Sequence, residues 1–172
     1  MEEQIPYKLN LKSFVDERGK FTRLFEPSFF ADRIPEFTVK NINSSINPVE
    51  GTIRGLHYQR APFQETKIIL CLAGKIFDVG VNINKESANY LRSYSTILEA
   101  NEPAAFVIPK NHAHGFMTLE PNTHVLYLVD AAYNPSAESS IYWKDPLLSI
   151  DWPMEPRLIS EKDRLVPLLK VQ

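Results

Sequence analysis

The sequence predicts a mainly all-β domain, an antiparallel sandwich or barrel with few short helices, on three observations. Short apolar runs recur through the middle of the chain. Turn-rich pieces such as "ANEP", "PKNHAH" and "EPNT" separate them. Thirteen prolines punctuate the whole, with no internal repeat, low-complexity tract or linker. Many short strands at this spacing fold as stacked or closed antiparallel sheet. A chain of 172 residues suits one domain with a sizeable core, spanning 1–172.

Each element follows from local pattern. "YKLNLKSFV" near the N-terminus reads as an exposed strand that needs cover and can pair across a subunit edge. "PSFFADRI" is expected as one short helix, with Pro27 near its start. "TIRGLHYQ", residues 52–59, reads as a strand that concentrates Arg54, His57, Tyr58 and Gln59. A flat strand would put Arg54 and His57 on opposite faces, so Gly55 between them is expected to mark a bulge that brings both to one side. "KIILCLAGKIFDVGVNI" reads as two strands joined by a tight turn at Ala73-Gly74. "RSYSTILE", "AAFVIP", "GFMTLE" and "HVLYLVDAAY" supply four more strands. The proline-rich tail from Pro146 is expected to run over the surface, with a turn of helix near Ser160–Lys162.

Bulk properties narrow the function. Hydrophobic residues make up 44% and charged residues 23%, ordinary for a globular protein. A net charge of -2 gives no global field for nucleic acid or an acidic membrane. The single cysteine, Cys71, rules out an intrachain disulfide. "MEEQIPYK" lacks the basic-then-apolar pattern of a signal peptide, and no apolar run approaches a membrane span. A soluble cytoplasmic protein is the expectation.

A barrel of this size has a mouth, and mouths hold ligands. A lysine pointing inward needs a counter-charge, and Asp78 on the next strand is the nearest candidate for Lys67, a surface ion pair being the other reading. The His-x-His of "NHAHGF" puts His112 and His114 on one strand face. With His57 they make a possible three-histidine metal site; a structural and an exposed histidine is the competing reading. Tyr127 and Tyr133, six apart, share a face if their strand continues. A tyrosine there is a core residue or a proton donor. Asp163 is a surface carboxylate unless the tail folds back to the mouth.

Seven ordered motifs carry a resemblance across nearly the whole chain. They are "DERGKF" (16–21), "GTIRGLHYQ" (51–59), "KIFDVGV" (75–81), "IPKNHAHGF" (108–116), "LYLVDAAYNP" (126–135), "WKDPLLSIDWP" (143–153) and "LISEKDR" (158–164). Together they resemble the dTDP-4-dehydrorhamnose 3,5-epimerase family. The resemblance implies a cupin-type jelly roll, a homodimer, and a reaction with no metal and no redox cofactor. It implies His57 as catalytic base, Asp163 as its carboxylate partner, Tyr127 as acid on the opposite face of the sugar, and Lys67 near the ketone oxygen with Asp78 as its partner. Arg54, Gln59, His114 and Tyr133 match positions lining the substrate pocket, and Arg18 matches an arginine that contacts the nucleotide diphosphate.

The chemistry accounts for these residue types. A 4-keto sugar carries carbon-bound protons at C3 and C5, both beside the carbonyl. Removing one leaves an enolate with its charge on the ketone oxygen. A histidine titrates near neutral pH, and a carboxylate partner fixes its tautomer. A cation near the oxygen stabilises the enolate. Inversion then needs a proton from the other face.

Several positions depart from the family pattern. Arg23 stands where a glutamate is usual, Asn41-Ile42-Asn43 where "QDN" is usual, and "NPVE" carries one extra residue. Asn82 replaces an aspartate, Leu128 a lysine, and Ser139-Ser140 an Arg-Gly pair. The implied chemical core is intact while its surroundings differ, which leaves open the nucleotide, the sugar and the number of centres inverted. A metal-dependent cupin is disfavoured because the nearest acidic residue after "HAH", Glu120, lies six residues beyond His114. A non-catalytic nucleotide-sugar binder is disfavoured because binding needs no acid and base together.

Overall fold

Two antiparallel sheets lie face to face, and their inner faces differ in character from one end to the other. The computed structural model describes residues 3–170; Met1, Glu2, Val171 and Gln172, which the N-terminal and whole-chain readings include, lie outside them. Among the described residues the strands run β1 (Tyr7–Asn10), β2 (Ser13–Asp16), β3 (Gly19–Thr22), β4 (Asn41–Asn47), β5 (Thr52–Gln59), β6 (Lys67–Ala73) and β7 (Lys75–Asn82). There follow β8 (Ser93–Glu99), β9 (Ala104–Ile108), β10 (His112–Thr118), β11 (Thr123–Val129), β12 (Glu138–Ser140) and β13 (Leu158–Ile159). One sheet has the order β1-β9-β6-β11-β4. The other has the order β12-β5-β10-β7-β8, with β13 alongside β5, and β2–β3 form a separate hairpin. The mainly β jelly roll expected from the sequence is the fold observed.

Strand alternation builds the core. Ile69, Cys71, Phe106 and Val125 from the first sheet pack against Ile76, Leu98 and Phe116 from the second. Burying a side chain of this kind contributes about 1.5–3 kcal/mol. The outer faces are also covered. Phe30 and Ile34 seal Ile68, Leu70 and Leu128 on the first sheet. Trp143, just before the C-terminal tail, and Trp152 within it seal Ile53 and Met117 on the second.

Three local expectations change. The Ala73-Gly74 turn is not a hairpin within one sheet: β6 pairs with β9 and β11, whereas β7 pairs with β10 and β8. Both strands are apolar on both faces, and a central place in a covered sheet buries both faces of each. Gly74, at φ +73, makes the corner because a side chain there would collide with Thr123. "PSFFADRI" holds only a 3-10 turn at Pro27–Phe29 followed by turns, and Pro35 disfavours any continuation of helix through Ile34. The N-terminal segment divides: Tyr7–Asn10 pairs with β9 of its own chain, and only Ser13–Asp16 joins the separate hairpin.

The tail does fold back. Ser160 caps a four-residue helix, α1 (Glu161–Arg164), close to β5. Among the described residues, no helix is long and apolar enough to cross a membrane.

Candidate active site

A cavity of about 570 Å³ opens at the polar end of the two sheets. The second sheet supplies Arg54, His57, Gln59 and His114 to its wall, and the first supplies Ser45, Lys67 and Tyr127.

β5 positions its residues through a bulge. Opposite it on β10, His114 pairs with His57 and Phe116 with Arg54, so three steps on β5 match two on β10. Gly55 is the extra residue. Its φ of +122 suits glycine, and a Cβ there would lie 2.6 Å from the Gly115 Cα. The bulge therefore turns Arg54 and His57 to the same side, as their three-residue separation required.

His57 Nε2 lies 2.7 Å from Asp163 Oδ1. The second carboxylate oxygen faces the Gly55 N–H at 3.4 Å, and Ser160 Oγ accepts the Asp163 N–H at 3.1 Å. Burial alone would raise the Asp163 carboxyl, but the hydrogen bond and charge of His57, with the Gly55 N–H and the nearby Ser160 side chain, hold it below its ordinary value. The dyad thus sits with its carboxylate buried and its imidazole facing the cavity.

Across the cavity, the Tyr127 hydroxyl lies 3.0 Å from Ser45 Oγ. Burial pushes the phenol up to about 12, against the pull of the Ser45 hydrogen bond, so it is protonated at neutral pH. The Tyr127 ring meets the edge of His114, with centroids 6.1 Å apart.

Lys67 and Asp78 do not form the expected pair. The Lys67 ammonium bonds Glu65 Oε1 at 3.0 Å and donates to the His57 carbonyl at 3.3 Å. Asp78 instead bonds His114 Nε2 at 2.6 Å, both buried. The reason lies in the corner at Gly74, which sends Lys67 and Asp78 into opposite sheets. Glu65 and Lys67, two apart in sequence, reach the same wall of the cavity.

The remaining expected residues divide. Gln59 reaches the cavity wall with its amide engaged by Glu65, the Phe63 and Ala132 carbonyls and the Asn134 N–H. Tyr133 lies past the end of β11, so it shares no strand face with Tyr127; it still lines the cavity, exposed, with its hydroxyl on Glu138. Arg18 is not brought to the cavity: it sits at the β2–β3 turn, paired with Asp16. No group of three or more His, Cys, Asp or Glu among the described residues is placed to hold a metal. His57, His112 and His114 do not converge, since each is engaged separately, His112 with the Lys110 carbonyl.

Reasoning from sequence missed Ser45, Asn47, Glu65, Glu138 and Lys162. The signal for two of them was present. In "NINSSIN", Asn41, Asn43, Ser45 and Asn47 alternate with outward Ile42 and Ile46, and the polar face is the one turned to the cavity. Of the departures from the family pattern, Arg23, Asn82, Leu128, Ser139 and Ser140 all lie off the cavity wall, while Asn41 and Asn43 lie on it.

Nearly the whole chain is similar to known proteins. The family model described as dTDP-4-dehydrorhamnose 3,5-epimerase matches residues 6–171. The dTDP-4-dehydrorhamnose 3,5-epimerase of Sinorhizobium fredii is 35% identical over 159 residues, 92% of this chain and 82% of that protein. The crystal structure of the Bacillus anthracis dTDP-4-dehydrorhamnose 3,5-epimerase with TDP and PPi bound superimposes with a TM-score of 0.91 at 36% identity, covering 95% of this chain and 94% of that one. A 3'-monoepimerase from Streptomyces bikiniensis in complex with dTDP-quinovose gives 0.88 at 26% identity, covering 95% and 83%. The chain belongs to the dTDP-4-dehydrorhamnose 3,5-epimerase family of isomerases.

Proposed function

We propose that this protein epimerises a dTDP-linked 4-keto-6-deoxyhexose, converting dTDP-4-keto-6-deoxy-D-glucose to dTDP-4-keto-L-rhamnose by inversion at C3 and C5. The observation that carries the reading is an opposed pair: the His57–Asp163 dyad on one sheet and the Tyr127 hydroxyl on the other, open to one cavity.

His57 removes the proton beside the ketone and holds it, oriented by Asp163. The C–H electron pair moves into the ring and the ketone oxygen becomes an enolate oxygen. Lys67 lies on the cavity wall with one carboxylate partner, and its charge suits that oxygen. Tyr127, neutral at working pH, then gives its proton to the opposite face of the carbon, and exchange with solvent discharges His57 and reloads Tyr127 before the second carbon is inverted. Arg54, His114, Gln59 and Tyr133 hold the sugar, and Asp78 acts through His114. Arg18 takes the diphosphate of a substrate bound across a homodimer. The hairpin that carries it, with Phe14, Val15 and Phe21 exposed, supports such an assembly. A cytoplasmic setting fits a chain whose single cysteine is buried and free.

Proton NMR with dTDP-4-keto-6-deoxy-D-glucose in heavy water tests the reading. Loss of the C3 and C5 signals with formation of the L-sugar is expected. Loss of one signal identifies a single-centre epimerase, and binding without exchange identifies a non-catalytic relative. Gel filtration at working concentration is expected to give a dimer.

A further inference from the structure

We propose that Ser45 is a positioning residue for Tyr127: its hydroxyl, oriented by Asn47, donates to the phenol oxygen and leaves the phenol proton free for the cavity. This rests on the epimerase reading and assigns a residue to it that no motif singled out.

The orientation follows from a chain of donors. A guanidinium can only donate, and Arg54 Nε lies 2.7 Å from Asn47 Oδ1. That fixes the Asn47 amide, whose side chain is buried. Its Nδ2 then faces three acceptors: the Thr123 carbonyl at 3.2 Å, Ser45 Oγ at 3.3 Å and the Ser45 carbonyl at 3.4 Å. The two amide hydrogens are shared among these acceptors, and Ser45 Oγ is within donor reach of one of them. Either oxygen can donate across the 3.0 Å contact between Ser45 Oγ and the Tyr127 hydroxyl; with one Ser45 lone pair taken by Asn47, the proposal assigns the Ser45 hydrogen to the Tyr127 oxygen.

The arrangement matters at the second proton transfer. The Tyr127 O–H bond breaks, and its proton forms the new C–H bond with the enolate electron pair. The ketone C=O is restored, and the O–H electron pair stays on the phenol oxygen. A donor already aimed at that oxygen stabilises the phenolate as it forms. Burial opposes the charge there, and the Ser45 hydrogen bond counters it. The same chain ties the sugar-facing Arg54 to the tyrosine, so substrate contact and proton donor share one rigid strand edge on β4.

The test compares wild type, Ser45→Ala and Ser45→Thr by proton NMR in heavy water with the same substrate. Two rates are read: solvent exchange of the C–H facing His57, and formation of inverted product. With Ser45→Ala, inverted product is expected to fall about tenfold to a hundredfold while exchange stays within about twofold. Ser45→Thr, which keeps the hydroxyl, is expected to restore inversion. Asn47→Asp, which replaces the donor amide with an acceptor, is expected to show the same split. The proposal is overturned if exchange and inversion fall together in Ser45→Ala, or if neither changes, while wild type turns over. A wild type that neither exchanges nor inverts overturns the epimerase reading itself and the role of Ser45 with it.

Discussion

His57 and Asp163 are 106 residues apart in sequence, and their side chains meet at 2.7 Å. β5 does both halves of the work. It carries His57, and the N–H of its bulge residue Gly55 faces the free oxygen of the carboxylate. The Asp163→Asn substitution keeps the shape and removes the anion. Its kcat for epimerisation is expected to fall about a hundredfold or more, with little change in KM. His57→Asn is expected to abolish exchange of substrate C–H protons with solvent, read by the same NMR assay.

The dyad also carries a pH signature in stability. The folded Asp163 carboxyl is held below its ordinary value, so the folded state binds that proton more weakly than the unfolded chain. The resulting stability is present above the unfolded carboxylate value of about 3.9 and is lost as pH falls through the lower folded value. Thermal melts of wild type and Asp163→Asn are expected to differ most near neutral pH and to converge below about pH 4. A gap of constant size at every pH would assign the loss to packing instead.

Gly55 tests the backbone that aims the base. At φ +122, with a Cβ position 2.6 Å from Gly115 Cα and 2.8 Å from the His114 carbonyl, any side chain forces β5 away from β10. Gly55→Ala is expected to destabilise by about 2 kcal/mol or more, a fall in Tm of roughly 4–8 °C. Its activity is expected to fall further than its stability, because Arg54 and His57 no longer share a face. Calorimetry and steady-state rates on the same sample separate the two effects.

What was legible in the sequence was whatever alternation and spacing encode. The central apolar strands, the bulge at Gly55 and the helical turn that carries Asp163 follow from local pattern. The partner of Lys67 did not. A Gly turn specifies that the chain reverses; whether the next strand joins the same sheet depends on which neighbours bury its second face. Succession across the Ala73-Gly74 turn makes Asp78 the nearest expected counter-charge, and the corner at Gly74 leaves that place to Glu65. Ser45 was hidden for a different reason. Its strand turns a polar face inward and shows Ile42 and Ile46 to the outside, so the usual rule of apolar-inward alternation misassigns it.

Lys67 and Glu65 offer a way to divide structure from chemistry. Both are nearly buried, and Gln59 adds a hydrogen bond to the same carboxylate at 2.9 Å. Lys67→Met leaves Glu65 without its cation, so it is expected to lose both stability and enolate stabilisation. The double variant Lys67→Met, Glu65→Gln removes both charges and is expected to recover the melting temperature. Its kcat is expected to stay about a hundredfold low, because nothing faces the ketone oxygen. Recovery of activity along with stability would make the pair structural only.

Tyr127 gives the protein a second pH signature, at the alkaline end. Burial raises its phenol to about 12, so the folded state holds the proton more tightly than the unfolded chain does. That contribution is intact below the unfolded value of about 10 and is lost as pH rises towards the folded value. Wild type is therefore expected to lose about 2–3 kcal/mol more than Tyr127→Phe between roughly pH 10 and 12, measured by urea unfolding. Cys71, also raised to about 12 by burial, is common to both proteins and cancels in the difference. Phenylalanine keeps the ring packed against Phe116 and His114. At neutral pH the variant should thus remain folded and still exchange the C–H proton that faces His57, while forming little inverted product. Abolition of both exchange and inversion in a folded Tyr127→Phe protein would place the tyrosine in the first proton transfer as well, and with it the assignment of one base and one acid to opposite sheets would fail.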